Sequence, residues 1–100
     1  MTTVGERIVL TGDSKKKWTV RAQTENFTVL TRQADFKPKG TLSYTVIDWR
    51  KKIRGPANTI GQGWNVDTDD QCLELCQLME AGQREVSHRN NVELDLPALV

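Results

Sequence analysis

The residues able to do chemistry are few, and their spacing says little in favour of catalysis. Cys72 and Cys76 lie four apart in a helical pattern. That places them on one face with Cβ atoms about 5–6 Å apart. A disulfide needs about 3.5–4.5 Å, so the pair stays reduced while the helix is intact. The single histidine, His88, is too little to complete a metal set with them. Ser87 and His88 are adjacent. Neighbours on an extended segment face opposite ways, so they do not form a nucleophile–base pair. Gly61-Gln62-Gly63 lacks the third glycine, the Lys-Ser/Thr pair and the immediately following helix of a phosphate loop. Asn26-Phe27-Thr28 matches a glycosylation sequon, read here as a chance match for want of a secretion signal. The expectation is a protein that is not an enzyme, with no catalytic residue, metal or cofactor.

Binding chemistry is better represented. Trp49-Arg50-Lys51-Lys52-Ile53-Arg54 offers an indole for stacking and four cations for phosphate, and Lys15-Lys16-Lys17 before Trp18 repeats the pairing. Aromatics within a basic groove are how non-specific single-strand binders hold nucleic acid. The charges divide along the chain. Residues 1–54 carry 12 Lys and Arg against 5 Asp and Glu, a net +7; residues 55–100 carry 2 against 8, a net −6. Either sign can steer a complementary partner. The acidic side is concentrated in Asp69, Asp70, Glu74 and Glu80. The candidate partner-binding residues are therefore Trp49, Arg50, Lys51, Lys52, Arg54, Asp69, Asp70 and Glu74.

These side chains need elements to hold them. Arg7 to Leu10 is strand-like and stops at the turn cluster Thr11-Gly12-Asp13. Lys17 to Ala22 alternates, predicting a half-buried strand with Trp18, Val20 and Ala22 on one face. A short polar connection leads to Phe27–Thr31, where Phe27 and Val29 share a face. Residues 32–40 read as a loop, with Phe36 folding back onto the core. Thr41 to Trp49 is the strongest strand, with Leu42, Tyr44 and Val46 facing one way and Ser43, Thr45, Ile47 and Trp49 the other. Both faces turn apolar at its end, predicting cover on both sides. Residues 50–58 break regularity, and 60–64 read as a short strand or an irregular connection.

One helix is expected over about residues 68–81. Asp67 or Thr68 caps it, and Thr68 with Gln71 fits a capping box. Asp69 and Asp70 suit its positive end, and Gly82 suits its left-handed stop. Cys72, Leu75, Cys76 and Met79 form the apolar stripe. Residues 85–89 read as extended or irregular, and Val92, Leu94 and Leu96 as a last half-buried strand. The order predicts one α+β domain over residues 1–100: a small antiparallel sheet or open SH3-like barrel with one amphipathic helix packed on it.

With 100 residues, 37% hydrophobic and 27% charged, the chain suits a single modest core and not wholesale disorder. It lacks a membrane-length apolar run and a signal-like start, so a cytoplasmic protein is expected.

Tyr44-Thr45-Val46-Ile47-Asp48, Arg54-Gly55-Pro56-x-Asn58 and Glu85-Val86-Ser87-His88-Arg89-Asn90 with Val92 and Leu94 together resemble small uncharacterised proteins of bacteriophages and prophages. The resemblance covers about half the chain and brings no catalytic or binding residues with it. It implies a non-enzymatic accessory protein in the bacterial host cytoplasm that binds and inhibits a host protein or nucleoprotein, such as a defence complex. The alternative from the residues is direct DNA or RNA binding through the basic half, residues 15–54.

Overall fold

The computed structural model describes residues 3–9, 17–55, 57, 65–86 and 92–93. Six strands, β1 (Arg7–Val9), β2 (Lys17–Gln23), β3 (Phe27–Gln33), β4 (Leu42–Asp48), β5 (Ile53–Gly55) and β6 (Val92–Glu93), form one sheet. Each strand pairs antiparallel with its neighbour in the order β1-β2-β3-β4-β5-β6. Of the two arrangements expected, the open sheet is the one present. Among the described residues there is one helix, α1 (Asp69–Glu80), and it lies against β2 and β3. This is the α+β domain expected from the sequence.

The helix begins as its sequence requires. Thr68 Oγ1 accepts the Gln71 backbone N–H at 3.2 Å, and Gln71 Oε1 accepts the Thr68 backbone N–H at 3.1 Å. This reciprocal box satisfies two N–H groups that the first turn leaves without partners. Gly82 stops the helix at φ 77°, a conformation without steric penalty only for glycine. Cys72, Leu75, Cys76 and Met79 are all buried. They pack with Ala22, Phe27, Val29 and Val46 from the sheet, and with Ala57, Val66 and Val86 from the connections. No helix among the described residues is long and apolar enough to cross a membrane.

The far face of the sheet carries a second cluster: Trp18, Val20, Leu30 and Ile47, with Ile8 and Trp49 packed against it. β4 is thus covered on both sides at its end, as its composition predicts. The expected face of β2 is corrected. Val20 pairs with Leu30 and Ala22 with Val29, so Arg21 is an extra residue in the ladder. Such a bulge resets the alternation. Trp18 and Val20 join the far cluster, while Ala22 joins the helix-side core.

Two further readings change. Residues 53–55 lie within the stretch read as irregular, yet they pair with β4 as β5. Phe36 does not fold back onto the core; it is fully exposed. Val86 makes an isolated bridge with Ala57, and β6 realises the start of the last expected strand. Residues 60–64, Ser87, His88, Leu94, Leu96 and the Lys15-Lys16 pair lie outside the described residues.

Candidate functional site

The strand register sets two ends to the sheet. Phe27 pairs with Asp48 and Gln33 with Leu42. The 24–26 turn and the 49–52 loop therefore share one end, and the 34–41 loop occupies the other. The Trp49 backbone N–H donates to the Asn26 carbonyl at 2.9 Å, tying the first two loops together.

At that first end the predicted basic strip is largely occupied. Asp48 is buried, and its Oδ1 accepts the backbone N–H of Arg50 at 2.9 Å and of Lys51 at 3.4 Å. The Arg50 guanidinium turns back on the same carboxylate, with both contacts at 3.3 Å. It also lies 4.7 Å over the Phe27 ring centroid, within cation–π range. The Asp48 hydrogen bond raises the Arg50 pKa further. Trp49 is half-buried against the far cluster, and its indole N–H donates to Thr28 Oγ1 at 2.8 Å. It is a brace rather than an open stacking platform. Arg54 is buried, opposite Ile47 in the ladder; partners in a ladder share a face, so its guanidinium belongs to the far side of the sheet. Of the four strip cations, Arg54 alone is buried; Lys51 and Lys52 are exposed, and so is Arg50, whose side chain keeps 52% of its surface open while it is paired with Asp48. Lys52 closes the four-residue loop at φ 57°.

The acidic helix residues divide in the same way. Arg21, displaced by the bulge, donates from Nε to Asp69 Oδ1 at 2.8 Å, from Nη1 to Thr31 Oγ1 at 3.1 Å and from Nη2 to the Asp67 carbonyl at 3.3 Å. Glu80 faces the 24–26 turn. Its carboxylate accepts the Asn26 backbone N–H at 2.7 Å, the Thr24 hydroxyl at 2.9 Å and the Asn26 side-chain amide at 3.0 Å. Those bonds, the Asn26 amide first, hold the Glu80 carboxyl below its usual pKa. They also explain a carboxylate in the last helical turn, where the dipole disfavours it. The same contact engages the amide nitrogen of the sequon's Asn26. Asp70 and Glu74, four apart, are exposed on the helix.

The thiols are core groups. Cys72 Sγ lies 3.6 Å from the Val66 carbonyl and Cys76 Sγ 4.0 Å from that of Phe27. Burial raises both thiols, that of Cys76 to about 12, so the reactive thiolate is scarce at neutral pH. Among the described residues, no three of His, Cys, Asp and Glu gather to hold a metal.

The opposite end holds what the sequence reading missed. Gln33 braces the 34–41 loop with its side-chain amide. Nε2 donates to the Pro38 carbonyl at 2.9 Å and to that of Ala34 at 3.3 Å, while Oε1 accepts the Gly40 N–H at 2.9 Å. The Ala34 N–H donates to the Thr41 carbonyl at 2.8 Å, and the Thr41 N–H to that of Pro38 at 3.0 Å. Arg32 reaches Asp35 at 3.3 Å from a position over the Trp18 ring. On this frame Phe36 stands at φ 59° and is 105% exposed, between exposed Asp35 and Lys37, with Lys39 nearby. A left-handed φ at a bulky side chain costs about 1–2 kcal/mol. The one signal in the sequence was the Pro38 and Gly40 turn chemistry, which marks a loop but not the direction of its aromatic ring.

Comparison with protein-family models, with curated proteins and with solved structures finds no match.

Proposed function

We propose that this chain is a small non-enzymatic accessory protein of the bacteriophage type. It docks onto a host protein or nucleoprotein in the bacterial cytoplasm and inhibits it. The phage part of this reading stands on the resemblance of residues 44–94; the docking part stands on the molecule. One observation favours a protein surface over free nucleic acid: the internal engagement of Trp49, Arg50 and Arg54. A groove for single strands needs aromatic faces open to successive bases and cations open to phosphate. Here one indole is half-buried, Arg54 is buried, and Arg50, though half exposed, is already held on the Asp48 carboxylate and over the Phe27 ring. Lys51 and Lys52 on one side, and Asp70 and Glu74 on the other, are left to steer association, a role in which charge sets on-rate and specificity more than affinity.

The test is fluorescence-anisotropy titration with random single-stranded DNA, duplex DNA and RNA across a range of salt. Binding weaker than about micromolar at physiological salt is the expected result. A protein captured from bacterial lysate on the immobilised chain should stay bound after nuclease digestion. Tight binding that falls steeply with salt and collapses in the Lys51→Ala, Lys52→Ala double variant would instead establish direct nucleic-acid binding through the basic half. That variant would then flatten the log–log salt slope by about two on duplex DNA.

A further inference from the structure

We infer that Phe36 is the anchor of the docking surface, its ring entering an apolar pocket rimmed by carboxylates on the protein partner. The inference rests on the docking reading above and names the chemistry of the contact. Four observations carry it. Among the described residues Phe36 is the most exposed of the large apolar side chains, at 105% against 58% for Val4 and 39% for Leu73. Its backbone is held in a left-handed conformation that glycine adopts without penalty, so folding alone does not call for phenylalanine there. The loop is cross-braced by the Gln33 amide and two backbone hydrogen bonds, so the ring is presented with little ordering left to do on binding. Lys37 and Lys39 are exposed beside it, while Asp35 contacts Arg32, so the tip meets its partner as a cation around an aromatic.

Buried aromatics in preformed pockets are where binding energy concentrates in protein interfaces. The other occupants fit less well. Among the described residues Phe36 is the one aromatic classed as exposed, with Trp18 and Phe27 buried and Tyr44 and Trp49 half-buried. A single ring gives a nucleic-acid strand one stacking contact, not a track. A bilayer would receive one ring and two lysines, too little apolar surface for a stable hold, whereas a preformed pocket buries the whole ring.

The experiment places a photo-crosslinking phenylalanine analogue at position 36 of the full chain, and separately at positions 51 and 74, in bacterial cells. A protein adduct at 36 is identified, and the captured protein is purified and titrated. Binding should fall at least about 30-fold for Phe36→Ala, with an unchanged melting temperature and retention by Phe36→Trp. Lys37→Ala with Lys39→Ala should mainly slow association, most at low salt. Phe36→Ala keeps a β-carbon and the same backbone demand, so it isolates the ring. An adduct at 51 or 74 with none at 36 overturns this inference and leaves the docking reading standing. A captured protein that binds Phe36→Ala as well as the parent, or an adduct to nucleic acid, also overturns it. No adduct at any position removes both.

Discussion

The chain has two phenylalanines, and they sit at opposite ends of the same strand pair. Phe27 opens β3 and is 0% exposed, with helix residues packed beside it and the Arg50 guanidinium over its ring. Phe36 lies just beyond the far end of β3 and meets solvent over its whole surface. The difference is not one of order, because both ends are hydrogen-bonded. At the Phe27 end, Asp48, Arg50, Asn26 and Glu80 bond to groups within the protein and fasten three segments to one another. At the Phe36 end, Gln33 fastens the loop to itself and nothing draws the ring home. One end is fastened to its neighbours, and at the other a phenylalanine ring stands in solvent.

Breaking the Phe27 end should cost most. Asp48→Ala strips two loop N–H groups and Arg50 of their acceptor, and should lower stability by about 2–3 kcal/mol in urea unfolding. Glu80→Ala should cost less, about 1–2 kcal/mol, because its three bonds lie nearer solvent. Its pH dependence is the sharper test. The carboxyl titrates lower in the folded chain than the unfolded value of about 4.3. Its contribution is then fully present above the unfolded pKa and lost as pH falls through the folded one. The stability gap between the parent and Glu80→Gln, followed by acid titration of the unfolding midpoint, should therefore narrow in acid.

At the Phe36 end the effects should be smaller. Gln33→Ala should cost about 1 kcal/mol and speed hydrogen exchange at the Gly40 amide, leaving exchange at Arg50 unchanged. Phe36→Gly should stabilise the chain by about 0.5–1 kcal/mol in thermal unfolding, since it relieves the left-handed backbone and removes no packing. A loss of stability there would show that the ring is packed in solution.

The fold was legible where local chemistry and periodicity agree. Thr68 and Gln71, the stripe from Cys72 to Met79 and Gly82 define the helix and its ends. The alternation from Leu42 to Val46 assigns both faces of β4 correctly. Alternation alone puts Ala22 on the face of Trp18 and Val20, because a bulge leaves no trace in an alternating pattern; only the partner strand reveals that Arg21 is extra. The basic strip misled for a similar reason. Composition groups Trp49, Arg50, Lys51, Lys52 and Arg54, but a tight hairpin sends consecutive residues in different directions, and Asp48, one residue earlier, captures Arg50. Phe36 misled because hydrophobicity argues for burial, whereas the braced loop and its left-handed backbone decide the direction.

Fluorine NMR of the chain labelled uniformly with 4-fluorophenylalanine tests the contrast between the two ends most directly, since it gives one resonance from Phe27 and one from Phe36. A soluble gadolinium chelate should broaden the Phe36 signal strongly and leave the Phe27 signal sharp. Equal protection of both rings, or a Phe36 signal shielded before any partner is added, would contradict the display of Phe36 and with it the anchor assigned to the docking surface.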